Sequence, residues 1–427
     1  MIRHSLAPSK NYPYKLRMKK PSVSLDNITG VRGGPLAKYL DAYITLIKEQ
    51  HYSAVSTRTQ IQLITKFNQW LQRRHAELYD LDESDIERFL QPRQNAGCTR
   101  RGDTAALCRL LHMLRQQGAT RQAKKTPFCP QRRITTKYGR YLIEGCGLSQ
   151  ATVINYVPFI DQFLSERFRN VPFSLSQLRA SDLTDFVQRH AHKLGVKGAQ
   201  LLVSALRSFL RYLRHQGKVR TDLAACVPTV ARWSFATLPK FLPAGAIQRV
   251  LDHVDQQTAV GRRNYAILLL LARLGLRSCE IVALNLEDID WENARITIRS
   301  KGGRLSQLPL SADVGRAVAQ YLRHGRPRSH CRRVFIRDKA PRVGFANSIA
   351  ISTLVMRALQ NARVASAHKG AHLFRHSLAT NMIRQGASLE EIGELLGHQS
   401  PNTTAIYAKV DLPALRPLAL PWPGGAR

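Results

Sequence analysis

Between residues 34 and 230, apolar positions recur at spacings of three and four, the period of a helix buried along one face; Leu206, Phe209, Leu210 and Leu213 are an example. These stretches open at Ser, Thr or Asp and close at Gly118 and Gly217, which predicts helices with polar starts and glycine stops. The pattern also repeats. YSAVS (52–56) matches LSQAT (148–152) in type and place, and Phe67 and Phe163 each follow eleven residues after Ser56 and Thr152. SDIERF (84–89) matches SDLTDF (181–186), and ALCRLLHMLRQQG (106–118) is identical to ALRSFLRYLRHQG (205–217) at seven of thirteen positions. The offset drifts only from 96 to 99 residues along this series. An ordered series of this kind predicts two tandem small helical modules, 34–118 and 134–230.

From about residue 244 the pattern changes. Helical stretches surround one short β region: ARITIRS (294–300) alternates apolar and polar, KGGR turns, and LSQLPL (305–310) returns, a hairpin signal. Pro and Gly punctuate the rest. Residues 1–33 read as a basic flexible arm, suited equally to touching DNA or to keeping the chain in solution. Residues 119–133 are a basic, Pro-containing linker, 231–243 a second linker, and 244–410 the last folded region. The tail, 411–427, holds Pro413 and Pro417, which exclude a long helix. Its leucines suit packing on this chain or on a neighbouring protomer, and the sequence leaves both open.

Charge changes the picture more than composition does. The chain of 427 residues has 65 Lys+Arg against 29 Asp+Glu, a net +36. Residues 236–427 hold 27 and 13 of these, net +14, so residues 1–235 hold 38 and 16, net +22. The excess is spread rather than confined to a tail. Such a chain favours a polyanion, because each neutralised phosphate releases counterions. Within the repeat, Arg207, Arg211 and Arg214 fall on one face of the last helix, which suits phosphate contact or plain solvation. The seven cysteines form no CxxC pair, which argues against a zinc site or a disulfide framework. The longest purely apolar run, AILLLLA (266–272), is far too short to span a membrane, and MIRHSLAPSK lacks a signal core. A cytoplasmic protein is expected.

The last region carries an ordered polar set. Arg277 sits in GLRSCEI (275–281), with Glu280 one turn on. Lys301 and Arg304 flank the hairpin turn, HLFRH (372–376) supplies His372 and Arg375, LLGH ends at His398, and TTAIYAKV carries Tyr407. Singly, each has an ordinary structural explanation: an ion pair, a helix cap, a core aromatic. Together they suit attack on a phosphodiester. Two guanidinium forks match phosphate geometry and stay charged. Imidazoles supply donors and handle protons near neutral pH. A tyrosine, with an ordinary pKa of about 10, becomes a nucleophile where cations stabilise its oxyanion. No carboxylate cluster accompanies them, which argues for metal-free covalent catalysis over a two-metal nuclease.

On these residues the chain resembles the tyrosine recombinase, or phage integrase, family. The family pattern is an Arg box, a hairpin Lys, His-x-x-Arg, a Leu-Gly-His segment and a Tyr some nine residues later. Arg277, Lys301, His372 with Arg375, His398 and Tyr407 fill these places, and Phe374 stands where leucine is usual. The resemblance spans about residues 240–410, and more weakly the modules before it. It implies a mainly α fold: SAM-like, core-binding modules followed by a catalytic domain, mostly helical with a small antiparallel sheet. It also implies double-stranded DNA as partner, a homotetramer acting on two sites, and a 3′-phosphotyrosyl intermediate that keeps the bond energy, so that no cofactor is needed. Tyr407 would be the nucleophile, Lys301 would assist the leaving 5′-oxygen, and Glu280 would support Arg277. One core-binding module is usual in the family. The extra copy points to a mobile-element enzyme that works with sister recombinases, and leaves open whether 34–118 meets more DNA or another protomer. Two rivals remain: a catalytically silent DNA-binding protein, and an enzyme like the type IB topoisomerases, which use a similar residue set on one duplex.

Overall fold

The computed structural model describes residues 33–100, 102–122, 130–169, 171–231, 240–300, 303–366, 370–398, 400–410 and 415. The arm 1–32, the turn residue Lys301 and nearly all of the tail lie outside them. Contacts divide the chain into two compact units, Met1–Lys124 and Lys125–Arg427.

The first unit contains helices α1 (Leu40–Glu49), α2 (Ala54–Arg73), α3 (Glu83–Asn95) and α4 (Asp103–Gln116), with a 3-10 turn at Leu78–Asp80. The second unit opens on α5 (Pro130–Glu144), α6 (Gln150–Arg167), α7 (Ala180–Ala191) and α8 (Val196–His215), with a 3-10 turn at Leu175–Gln177. The duplication read in the sequence has a matching internal geometry in the two sets. Ser53 precedes α2 and Ser149 precedes α6, both extended as helix starts require. Asp85 accepts the Asp82 N–H as Asp182 accepts that of Arg179, opening α3 and α7. Phe67 meets Phe89 at 5.0 Å between ring centroids, and Phe163 meets Phe186 at 5.2 Å. Gly118 and Gly217 turn left-handed at φ +69° and +65°, where glycine lacks the Cβ penalty. After each, the next N–H reaches back to a carbonyl of the last turn, Ala119 to Leu114 and Lys218 to Leu213. Each set closes on its own buried cluster, around Tyr43, Phe67 and Leu107 in one and Tyr138, Phe163 and Phe209 in the other.

The remainder of the second unit runs α9 (Ala244–Asp252), α10 (Ala259–Arg273), α11 (Ser278–Ala283), β1 (Ile289–Asp290), β2 (Arg295–Arg299), β3 (Leu305–Pro309) and α12 (Ala312–His324). It continues with α13 (Ile349–Asn361), α14 (His372–Arg384), α15 (Leu389–Leu396), α16 (Pro401–Thr404) and a 3-10 turn, Ala405–Val410. The apolar run of the sequence lies in α10, where Ala266 through Ala272 are all buried; α12, α13 and α14 pack around it. The sheet is antiparallel, in the order β1-β2-β3. The predicted hairpin is β2 and β3, paired from Arg299 with Leu305 to Arg295 with Pro309, with Ile296 and Ile298 turned into the core. A separate small cluster of Ala379, Ile383, Ile392, Leu396 and Tyr407 joins α14, α15 and the final turn.

Candidate active site

Four pieces of backbone bring the polar set together. Gly275, left-handed at φ +59°, ends the α10 segment and lets the chain turn into α11. Arg277 caps α11, and Glu280 holds it twice: Oε2 accepts the Arg277 N–H at 2.7 Å, and Oε1 accepts from Nη1 at 2.8 Å. Glu280 is 4% exposed. Its Oε1 also accepts from the Ser300 hydroxyl at 3.1 Å, which ties the start of the hairpin turn to the same place. A buried carboxylate with no cation beside it would be costly, so Arg277 and Glu280 fix each other.

Helix α14 buries Leu373, Phe374, Ser377, Ala379 and Thr380 on several sides and carries Arg375 inside with them, to 6% exposure. Arg375 Nη1 donates to the Gly275 carbonyl at 2.7 Å and Nη2 to that of Leu396. These partners satisfy donors but do not cancel the charge. Burial, then Arg277, lowers its pKa to about 10, so the guanidinium remains a cation at neutral pH. Two cations this close, one of them desolvated, form a site that an anion would stabilise.

His398 follows the C-cap Gly397, whose φ of +60° is left-handed, and its Nδ1 sits 2.7 Å from the Thr404 hydroxyl. Burial, then Arg375 and Arg277, lowers its pKa to about 4, so the ring is neutral. His372 lies in the first turn of α14 and is exposed, yet its pKa is also lowered, by partial desolvation and then by Arg375, Arg277 and Lys197. Tyr407 is 1% exposed. Burial raises its phenol to about 12 while Arg375 and Arg277 pull the other way.

The structure therefore gathers Arg277, Glu280, His372, Arg375, His398 and Tyr407. It adds His376, whose Nδ1 stands 2.8 Å from the Tyr407 hydroxyl. The sequence reading stopped at His-x-x-Arg and missed this residue. The available signal was a second imidazole four residues after His372, on the same helix face. Arg304 is exposed just before β3. The three α8 arginines are not equivalent. Arg207 donates to the Val227 carbonyl and the Thr229 hydroxyl, and Arg214 pairs with Asp222 at 2.8 Å. Arg211 is exposed and makes no hydrogen bond or ion pair among the described residues.

A helical chain that sets two arginines, three histidines and a tyrosine beside a β-hairpin has the makings of a phosphodiester-cleaving enzyme of the tyrosine type. Residues 240–412 match the model of the Phage integrase family, and residues 135–217 match that of the phage integrase N-terminal SAM-like domain. "Putative integrase/recombinase y4rA" of Sinorhizobium fredii (strain NBRC 101917 / NGR234) is 46% identical over 396 residues, 92% of this chain and 96% of that protein. "Tyrosine recombinase XerC" of Myxococcus xanthus is 31% identical over 294 residues, 65% of this chain and 93% of that protein. Among solved structures, the XerH site-specific recombinase bound to palindromic difH substrate shares the fold, with a TM-score of 0.56. That match is 21% identical and covers 70% of this chain and 98% of the other. The chain belongs to the phage integrase family of tyrosine recombinases, enzymes that break and rejoin DNA. Among the described residues no helix is long and apolar enough to cross a membrane.

Proposed function

We propose that Tyr407 is the nucleophile of a site-specific recombinase that works on double-stranded DNA. The observation that carries this reading is the position of the buried phenol beside two arginines, one of which, Arg375, has no carboxylate bound to it. In the proposed step the phenol gives its proton to one of the neutral imidazoles, His372 or His398, the Tyr407 oxygen bonds to the scissile phosphorus, and the bond from phosphorus to the 5′-oxygen breaks. Arg277 and Arg375 neutralise the charge that develops on the phosphate, and His372 and His398 hold it by hydrogen bonds. Lys301, at the hairpin turn, gives a proton to the departing oxygen, and Glu280 keeps Arg277 in place. The bond energy stays in the 3′-phosphotyrosyl link, and a partner strand's 5′-hydroxyl reverses the step. The enclosed phenol must be uncovered before a phosphate can reach it.

We further assign residues 134–230 as the core-binding module, 244–410 as the catalytic domain, and 34–118 as an added module. The XerH site-specific recombinase was solved on its difH substrate. That complex, with the family assignment, supports DNA as the partner, and we extend the reading to a homotetramer on two duplexes in the cytoplasm. Covalent capture tests the chemistry. Wild-type protein is incubated with nicked duplexes of random sequence, in which the released fragment diffuses away and religation fails. An adduct resistant to denaturant is expected, and sequencing it yields the site. Tyr407→Phe should give none. An equal adduct from the Phe variant would overturn the nucleophile, and tight duplex binding with no wild-type adduct would favour a silent binder.

A further inference from the structure

Tyr407 is held by a residue outside the polar set read from the sequence. Its hydroxyl lies 2.8 Å from His376 Nδ1, and the two rings stand 5.6 Å apart between centroids. Beneath them Ala379, Ile383, Ile392 and Leu396 close an apolar floor. Both groups sit on rigid supports, the imidazole on the second turn of α14 and the phenol in the turn after α16. We propose that His376 is a positioning residue for Tyr407: its Nδ1 accepts the phenol's hydrogen bond and stores the nucleophile, neutral and enclosed, beside Arg375 until DNA docks. This rests on the reading of Tyr407 as nucleophile.

The arrangement favours holding over proton removal. With Nδ1 as acceptor, the imidazole proton sits on Nε2. Taking the phenol's proton as well would create an imidazolium among cations, with Arg375 and His372 close enough to oppose it. Burial pushes the phenol up to about 12 and the imidazole down to about 4. The two shifts run in opposite directions, and both disfavour proton transfer at rest. The neutral hydrogen-bonded pair is what persists. Holding the oxygen in one place still matters, because a displacement of about 1 Å from the productive geometry costs on the order of a hundredfold in rate. An enclosed phenol also cannot attack stray phosphates before the site is filled.

Asn and Leu have nearly the same shape, and Asn alone offers an acceptor. His376→Asn and His376→Leu therefore separate the hydrogen bond from packing. Single-turnover adduct formation is measured on the nicked duplex recovered by covalent capture, alongside duplex affinity and thermal unfolding. His376→Leu should cleave at least about tenfold more slowly with affinity unchanged, and His376→Asn should stay within about threefold of wild type. Should the leucine variant melt early, His376→Ala with and without free imidazole makes the same comparison, and imidazole should restore the rate. Wild-type cleavage by His376→Leu would overturn the proposal. So would His376→Asn being as slow as His376→Leu, or His376→Ala being unmoved by imidazole. These outcomes are distinct from failure of the nucleophile reading, in which Tyr407→Phe itself forms the adduct.

Discussion

At the scale of single residues, the site keeps its imidazoles uncharged by placing them in partial burial beside guanidinium groups. That choice links folding to pH. His376 and His398 both have pKa values of about 4 in the folded protein, against about 6.5 in an unfolded chain. A group that binds its proton less readily when folded makes the unfolded state the better proton acceptor between the two values. Stability is therefore full above about pH 6.5 and falls as the pH drops from there toward 4, with a slope between one and two protons. The lowered carboxylates, such as Glu83 at about 2, titrate below this window and leave it to the histidines. A series of denaturation midpoints from pH 7.5 to 4.5 should show the decline, and His398→Asn should make it shallower. A flat series would mean that water reaches these rings freely. The sequence displayed most of this set, because residue identity and spacing alone carry the family pattern. His376 was not legible, because its meaning depends on a residue 31 positions away whose direction only packing decides.

At the scale of elements, legibility followed periodicity. The four-helix modules and the hairpin were readable because buried faces impose a period of 3.6 or 2 on the residues themselves. Strand β1, of two residues, is too short to show any period. The burial of Arg375 also left no trace in the pattern, since a charged residue normally marks an outward face. It is tolerated because two segment ends turn carbonyls toward it, and one of those ends needs Gly275. A Cβ at Gly275 would stand 2.7 Å from Leu396 Cδ2 and 3.0 Å from Leu378 Cδ2. The left-handed backbone adds about 1–2 kcal/mol for any other residue. Gly275→Ala should thus cost about 2–4 kcal/mol in chemical denaturation, strain and overpacking together. It should also slow adduct formation by about tenfold or more, because the Gly275 carbonyl that positions Arg375 would shift. Lost stability with an unchanged cleavage rate would show that Arg375 is positioned by Leu396 alone.

At the scale of the whole molecule, the two modules share a framework and differ in charge. Residues 34–118 hold 12 Lys+Arg and 9 Asp+Glu, net +3, while 134–230 hold 13 and 6, net +7. Most of the gap is acidic, nine carboxylates against six, and part of it lies on the outward face of the last helix. Where α8 carries Arg207 and Arg211, the equivalent α4 positions are Cys108 and His112. Arg115, the counterpart of Arg214, is bound to Glu83 at 2.6 Å. The two modules share the core contacts that each needs to fold, while this helix face of the first carries fewer of the cations that a phosphate backbone would reward. Phosphate contact through this helix face is therefore expected of the second module, and Arg211, exposed and without an intramolecular partner among the described residues, is its clearest candidate. Duplex affinity should fall steeply with salt, by about 0.9 in log K per log salt for each phosphate neutralised. Arg211→Ala should weaken binding across all sequences and reduce that slope by about one. His112→Ala should leave both affinity and slope unchanged. Equal effects from the two substitutions, measured by fluorescence anisotropy between 50 and 200 mM salt, would mean that the first module also uses this face on DNA despite carrying fewer cations there.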